Sequence, residues 1–404
     1  MTSLPKEKSA DQLNHPVMII GAGSSGLSAA YHLLQKGLQP ILLDAAPSAG
    51  ASWHKRHPQL SLNTHRIYSG LPGMPIHRSK GTFVTRDDYI AYLEEYACWL
   101  EQHFHASLFF NTSVERVEPA GPYWRVITPR ESYLTRHIIV ATGPDREPYM
   151  PPWEGIDGYR GAMVHAADFG HIDQYDDKHV LIVGGANSGI DIANHLTQRK
   201  RCASLQISMR HGSHLLPTYV AGIPIQLTGP VLAKLPLWCQ DLSGNLFSRL
   251  SFGNLTKLGI KTPIPGVASR LKEAGVAPGF DHGFVKALKN HQIKVVPEVR
   301  RLTKEGALFI DGSRRSFDHI ICATGYRTGL SKLLPEECLQ PPAALYPSAG
   351  KAVRPLFTSP KTGQGHPGLW IFGMQPKLQG SIYARNSEAA ELADHIEASL
   401  CTGV

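Results

Sequence analysis

Apolar positions form two matching arrangements along the chain. In the first, Val17-Met18-Ile19-Ile20 is followed by a Gly-rich stretch, then by Leu27, Ala30, Leu33 and Leu34 at helical spacing. A short continuous apolar run fits a strand buried on both faces, and the helical recurrence fits a helix packed against it. Gly37 ends the helix, and Gln39-Pro40-Ile41-Leu42-Leu43 forms the next strand, so residues 17–44 read as a βαβ unit. The order returns with the strand His179-Val180-Leu181-Ile182-Val183, a Gly-rich turn, a helix to about Lys200 and a strand from Leu205 to Met209. Residues 45–82, rich in Gly, Pro, His and Ser, read as a long loop of the kind that is usually functional. A helix is predicted over 87–104, with Asp87 and Asp88 in its first turn, and another over about 381–400. Short strands are predicted near 107–110, 114–118, 123–128, 137–142, 293–296, 307–311, 318–323 and 369–372. Pro144 to Pro152 holds four prolines and reads as a linker. Residues 211–282 are less regular, with apolar patches at Leu232–Trp238 and Leu246–Phe252.

The turns carry the first chemistry. Gly21-Ala22-Gly23-Ser24-Ser25-Gly26 is a G-x-G-x-x-G between a strand and a helix. Gly21 allows the tight turn, Gly23 lets backbone approach a pyrophosphate, and Gly26 lets helix and strand pack closely. The helix N-terminus then faces the phosphates. Asp44, with Ala45 beside it, ends the next strand, where a carboxylate can accept from a ribose hydroxyl. The second turn, Gly184-Gly185-Ala186-Asn187-Ser188-Gly189, has Ala186 in the middle position, and its next strand ends at Arg210. A guanidinium there can pair with a 2′-phosphate that a carboxylate would repel, with Lys200 and Arg201 as weaker candidates. Two dinucleotide units in one chain imply hydride transfer, and the acceptor that stays bound is usually a flavin. Asp44 suits the ribose of FAD, and Arg210 suits NADPH rather than NADH.

Composition sets outer bounds. A chain of 404 residues, 42% apolar and 18% charged, suits two domains with real cores. The net charge of +8 is spread without a basic run, so it points to anionic cofactors and not to nucleic acid. The six cysteines, Cys98, Cys202, Cys239, Cys322, Cys338 and Cys401, form no C-x-x-C and no zinc-ligand spacing. That leaves a disulfide reductase without its redox pair. A polar, mixed-charge N-terminus and no apolar run of 18 residues predict a cytoplasmic protein with no transmembrane segment. A homo-oligomer is compatible with the sequence.

Further motifs resemble those of the class B flavin-containing monooxygenase family. Gly50-Ala51-Ser52-Trp53 is similar to its G-G-x-W, and Tyr159-Arg160-Gly161 with His165 and Phe169 to its F-x-G-x-x-x-H-x-x-x-[YF] fingerprint. Ala141-Thr142-Gly143 and Cys322-Ala323-Thr324-Gly325-Tyr326 match its two A-T-G crossings between domains. Leu71-Pro72-Gly73-Met74-Pro75 and Phe317-Asp318 resemble the branch of plant YUCCA-type enzymes and their bacterial relatives.

The resemblance implies an α/β fold with two Rossmann-like domains. The FAD-binding domain would be discontinuous, 1–150 and 325–404, and the NADPH-binding domain 151–324 would be inserted, with a lid or substrate-selecting segment around 211–282. It implies that NADPH reduces FAD, that O2 gives a C4a-hydroperoxide, and that one oxygen atom passes to a small organic substrate. Nitrogen or sulfur oxygenation, Baeyer–Villiger insertion and oxidative decarboxylation of a 2-oxo acid all share these motifs. Asn63 falls where the family places an Asn near the reactive edge of the flavin. Ser52, Trp53, Thr142, Gly143, Thr324, Gly325, Gly373, Gly380 and Ser381 are further expected cofactor contacts, as are Asn187 and Ser188 in the second turn. His165 either couples the domains or fills the linker, and Arg66 either meets the nicotinamide nucleotide or faces solvent. Segment 211–282 is a lid, a membrane-touching surface or a set of core helices. Two other readings stay open: an electron-transfer reductase with a protein partner, and a non-catalytic redox sensor, for which Ala186 fits weakened NADPH binding.

Overall fold

The structure, a computed structural model, describes residues 15–339 and 366–402. Two five-stranded parallel sheets organise it, each with the strand before a Gly-rich turn at its centre. In the first sheet the order is Leu369–Ile371, His137–Val140, Val17–Ile20, Ile41–Leu43 and Ser107–Phe109. In the second it is Ala162–His165, His319–Cys322, His179–Val183, Ser204–Ser208 and Lys294–Val296. All pairings within both sheets are parallel. Their central strands are buried on both faces, which is why they read as unbroken apolar runs.

The two units share a deeper plan. Counting from the strand before the Gly-rich turn, each passes from its third parallel strand through a three-stranded antiparallel meander, Arg116–Thr135 in one and Val299–Ser316 in the other, before the strand that precedes Ala-Thr-Gly. That preceding strand reads His137-Ile138-Ile139-Val140 in one and His319-Ile320-Ile321-Cys322 in the other. The helices Ser24–Gln35, Arg86–Phe104 and Ser381–Thr402 cover one face of the first sheet, closing a core around Leu33, Tyr89, Leu93, Tyr96 and Ile396. The helices Asn187–Arg199 and Phe284–Lys289 do the same in the second unit, around Ile190, Ile192, Phe284 and Leu288.

Some expected boundaries move. Residues 45–82 are not one loop: they hold a short helix, Ala51–His54, and a strand, Ser61–His65, paired antiparallel with Phe83–Thr85. Neither has enough apolar periodicity to mark it in sequence. The long helix starts at Arg86, because the Thr85 hydroxyl caps it by accepting from Asp88 N–H at 3.2 Å. The Pro-rich linker contains Glu147–Pro148, paired antiparallel with Tyr326–Arg327, so the two crossings between the units run side by side. In segment 211–282 the helix Leu237–Phe252 is no core helix. It packs near Val267 through Gly244, its one buried residue, and leaves Trp238, Leu242, Leu246 and Leu250 exposed.

Candidate active site

The first Gly-rich turn is tightly built. Gly21 has φ of 109°, and a Cβ there would stand 2.7 Å from the Ala141 carbonyl oxygen. A Cβ on Gly26 would collide with the carbonyl of Gly21, which explains why the third position of the motif is glycine. A Cβ on Gly23 would meet nothing within 4 Å, so the turn keeps open space where a phosphate can approach. Ser24 and Ser25 open the helix, with Gly23 at its N-cap. Asp44 is already engaged: its carboxylate accepts from Ala22 N–H at 2.6 Å and from Ala46 N–H at 2.8 Å. These bonds fix the carboxylate at the strand end while leaving it only half-buried, with lone pairs to spare. Ala45 beside it is exposed.

The second turn repeats the geometry. A Cβ on Gly189 would collide with Gly184, as Gly26 does with Gly21, and one on Gly184 would collide with the Ala323 carbonyl. Ala186 caps its helix with φ −89° and ψ −173°, close to the −81° and −179° of Gly23. This is extended backbone open to any residue, so the alanine carries no strain. Asn187 and Ser188 open the helix and are half-buried. Arg210 is 65% exposed, with Nε donating to His211 Nε2 at 2.9 Å and Glu298 3.8 Å away. Arg270, from helix Val267–Ala274, stands near enough to Arg210 that burial and the neighbouring positive charge both depress its pKa. Sequence reasoning missed Arg270, since 60 residues separate it from Arg210 and only the folded segment 211–282 brings the two together.

Between the turns, residues far apart in sequence converge. Asn63 Nδ2 donates to Asn187 Oδ1 at 2.8 Å, joining a strand of the first unit to the helix of the second. One helical turn on, His57 Nε2 pairs with Asp191 Oδ2 at 3.0 Å. Arg56 donates to the Tyr326 hydroxyl at 2.7 Å and to Asp145 at 2.9 Å. His165 couples the crossings: Nδ1 accepts from Ala167 N–H, so Nε2 carries the hydrogen and donates to the Gly325 carbonyl at 3.0 Å. Its ring meets Tyr326 edge-on at 4.8 Å, and burial lowers its pKa. Thr324 Oγ1 donates to the Tyr149 carbonyl at 2.5 Å. Gly143 and Gly325 both have positive φ and open space at Cβ, so both Ala-Thr-Gly turns leave room beside the backbone. Arg66 is half-buried and reaches the Ile76 carbonyl at 3.5 Å.

The remaining expected contacts gather by the first turn. Gly373, with φ of 76°, packs so closely on Ser25 that a Cβ would collide with its hydroxyl. A Cβ on Gly380 would stand 2.9 Å from Thr64. Ser381 begins the last helix, and its hydroxyl accepts from Lys377 N–H at 3.2 Å. Trp53 packs edge-on against Tyr89 at 4.9 Å, whereas Ser52 is exposed. Beside them, Thr142 Oγ1 and Arg385 Nε are buried with no hydrogen-bond partner among the described residues. Arg385 Nε lies 3.4 Å from where a Gly373 Cβ would be, and burial depresses its pKa. Buried polar atoms without partners are costly, so these groups fit a polar dinucleotide bound beside the first turn. Arg385 too was not marked by any motif.

Comparison with known proteins gives this geometry its family. Residues 18–213 match the family model of pyridine nucleotide-disulphide oxidoreductases. The chain is 32% identical over 341 residues to the Arabidopsis thaliana probable indole-3-pyruvate monooxygenase YUCCA1, covering 82% of this chain and 81% of that protein. The chain belongs to the class B flavin monooxygenases. It is 30% identical over 396 residues to the A. thaliana protein YUCCA7, covering 95% of this chain and 88% of that one. A solved two-substitution variant of a flavin monooxygenase from Stenotrophomonas maltophilia is 25% identical, with a TM-score of 0.69 over 95% of this chain and 98% of that chain. A steroid monooxygenase bound to NADP shares the fold at 18% identity and a TM-score of 0.69. This family member is thus an FAD- and NADP-dependent oxidoreductase of monooxygenase type, with two Rossmann-like domains. All six of its cysteines are unpaired, so the disulphide chemistry in the matched model's description has no cysteine pair here. Among the described residues, no helix is long and apolar enough to cross a membrane.

Proposed function

We propose that this monooxygenase carries FAD on residues 1–150 and 325–404 and NADPH on 151–324, and oxidatively decarboxylates a 2-oxo acid with an aromatic side chain. The observation that most supports the site assignment is the bond between Asn63 and Asn187, which joins a strand of the first unit to the helix that follows the second Gly-rich turn. The substrate class rests on the indole-3-pyruvate monooxygenases that align over most of the chain. In the balanced reaction, the 2-oxo acid, O2, NADPH and a proton give the shortened carboxylate, CO2, water and NADP+. Bound FAD supplies the two-electron acceptor for NADPH and the centre that activates O2.

The chain's own residues bind and orient the cofactors. Asp44, held by two backbone donors, accepts from the FAD ribose, and the Gly23 turn with the helix from Ser24 faces the pyrophosphate. Thr142 and Arg385 offer unpartnered donors to the FAD along the Gly373 side. The Asn63 amide, placed by Asn187, has a second N–H hydrogen that it would offer to the bound flavin or substrate. The Gly184 turn takes the NADPH pyrophosphate, and Arg210 with Arg270 takes the 2′-phosphate. Arg56, Tyr326 and His165 hold the crossings together and would so fix the two nucleotide-binding units relative to each other when the cofactors are bound.

The test is a stopped-flow mixing of anaerobically reduced protein, with NADP+ present, against oxygenated buffer. A transient absorbance near the blue edge of the visible, before oxidised flavin returns, supports the monooxygenase site. Single-turnover mixtures with indole-ring 2-oxo acids should then release one CO2 per NADPH. Oxygenated amines or thioethers with no CO2 would overturn the substrate class.

A further inference from the structure

We propose that His57, Asp191 and His195 bind one divalent transition-metal ion of the zinc class, between the two nucleotide-binding units. The sequence holds 20 histidines, but among the described residues this is the one group of three His, Cys, Asp or Glu side chains whose donor atoms all lie within 4.8 Å of one another. Asp191 and His195 are four residues apart on the helix Asn187–Arg199, so both project from one face. His57 comes from the other unit, just past the short helix Ala51–His54. The group therefore spans the same seam as the Asn63–Asn187 bond, on the same helix face.

The distances suit a small ion. Donors held 2.0–2.2 Å from a tetrahedral zinc stand about 3.3 Å apart. Asp191 lies 3.0 Å from His57 Nε2 through one oxygen and 3.7 Å from His195 Nε2 through the other. The second separation is too long for a hydrogen bond, so the carboxylate faces both rings while bonding only one. The side chains are 6%, 12% and 21% exposed for His57, Asp191 and His195, which shields the group while leaving an entry path past His195. His282 is outside the group, with Nε2 on Thr218 Oγ1 at 3.2 Å.

Two imidazoles and a carboxylate select Zn2+, Co2+ or Ni2+ over Mg2+ or Ca2+, which prefer oxygen ligands. An ion here touches no reacting atom. It ties the stretch leading to Asn63 to the helix carrying Asn187, so it acts as a positioning element between the units.

The experiment uses FAD-loaded protein, freed of metal with a chelator and then given Zn2+. Elemental analysis after gel filtration should find one Zn2+ per chain, and the thermal unfolding midpoint should rise with Zn2+ but not with Mg2+. His57→Ala and His195→Ala should each weaken uptake at least about 100-fold, more than loss of an outer-shell partner costs. Should either alanine variant lose FAD or fold, His195→Gln, at the partly exposed position, gives the same reading. Absence of stoichiometric uptake would overturn the site. So would uptake that His195→Gln and His57→Ala leave unchanged, since the ion would then sit on other histidines.

Discussion

The two units repeat one plan and differ in how firmly their candidate nucleotide contacts are held in place. In the first, Asp44 is locked by Ala22 and Ala46 N–H, and two buried unpartnered groups stand by the turn, Thr142 next to Gly21 and Arg385 next to Gly373. In the second, Arg210 is largely exposed and shares its surroundings with His211, Glu298 and Arg270. A preorganised, buried site keeps its ligand, because little remains to be ordered on binding. An exposed cation attracts an anion but holds it loosely against water and salt. The contrast fits a resident FAD and an exchanging NADPH.

The comparison can be broken first at Asp44. Asp44→Ala removes two charge-assisted bonds to backbone, so a loss of about 3 kcal/mol and release of FAD on gel filtration are expected. Retention of FAD would mean that the pyrophosphate end alone anchors it. The paired strands give the next effect. Burial lowers the pKa of His137 to about 4, and Trp370 Nε1 donates to its Nδ1 at 3.2 Å, which needs that nitrogen unprotonated. The unfolded chain binds the proton more readily, near pH 6.5, so stability is full above that value and falls as the pH drops toward about 4. The cost is about 3 kcal/mol, and His137→Gln should flatten the acid limb of an unfolding-midpoint curve. His319, its counterpart in the second unit, is less buried and also lowered by burial, so His319→Gln should change that limb less.

Smaller effects sharpen the second unit. Arg210→Ala should cut the preference for NADPH over NADH about tenfold, the worth of one hydrogen bond to a charged group, read from the ratio of kcat/KM values. Arg270→Ala should act in the same direction, and an unchanged preference would remove it from the 2′-phosphate site. Ala186→Gly should change the NADPH KM by less than about threefold, because the alanine already adopts the backbone of Gly23. A large gain would mean that the methyl obstructs the pyrophosphate.

Much of this molecule was legible before folding. Buried strands show as apolar runs, Gly26 and Gly189 show as the one residue type that fits against a carbonyl, and Asp44 and Arg210 are placed by their distance from a turn. These features are local, because strand, turn and helix are consecutive and their sterics act within a few residues. Contacts across the fold were not legible. Arg385 and Arg270 carry no motif, and the short elements within 45–82 carry no period. The exposure of Trp238, Leu246 and Leu250 is likewise invisible in two patches that read as apolar. The sharpest case is the pair of segments His137-Ile138-Ile139 and His319-Ile320-Ile321, identical in sequence at the head of equivalent strands. One histidine is buried against Trp370 and the other stays partly open beside Tyr175. Sequence by itself determined that both begin a buried parallel strand, since that follows from the apolar run behind each. Only tertiary structure decided which imidazole loses water, because desolvation depends on neighbours that distant parts of the chain supply.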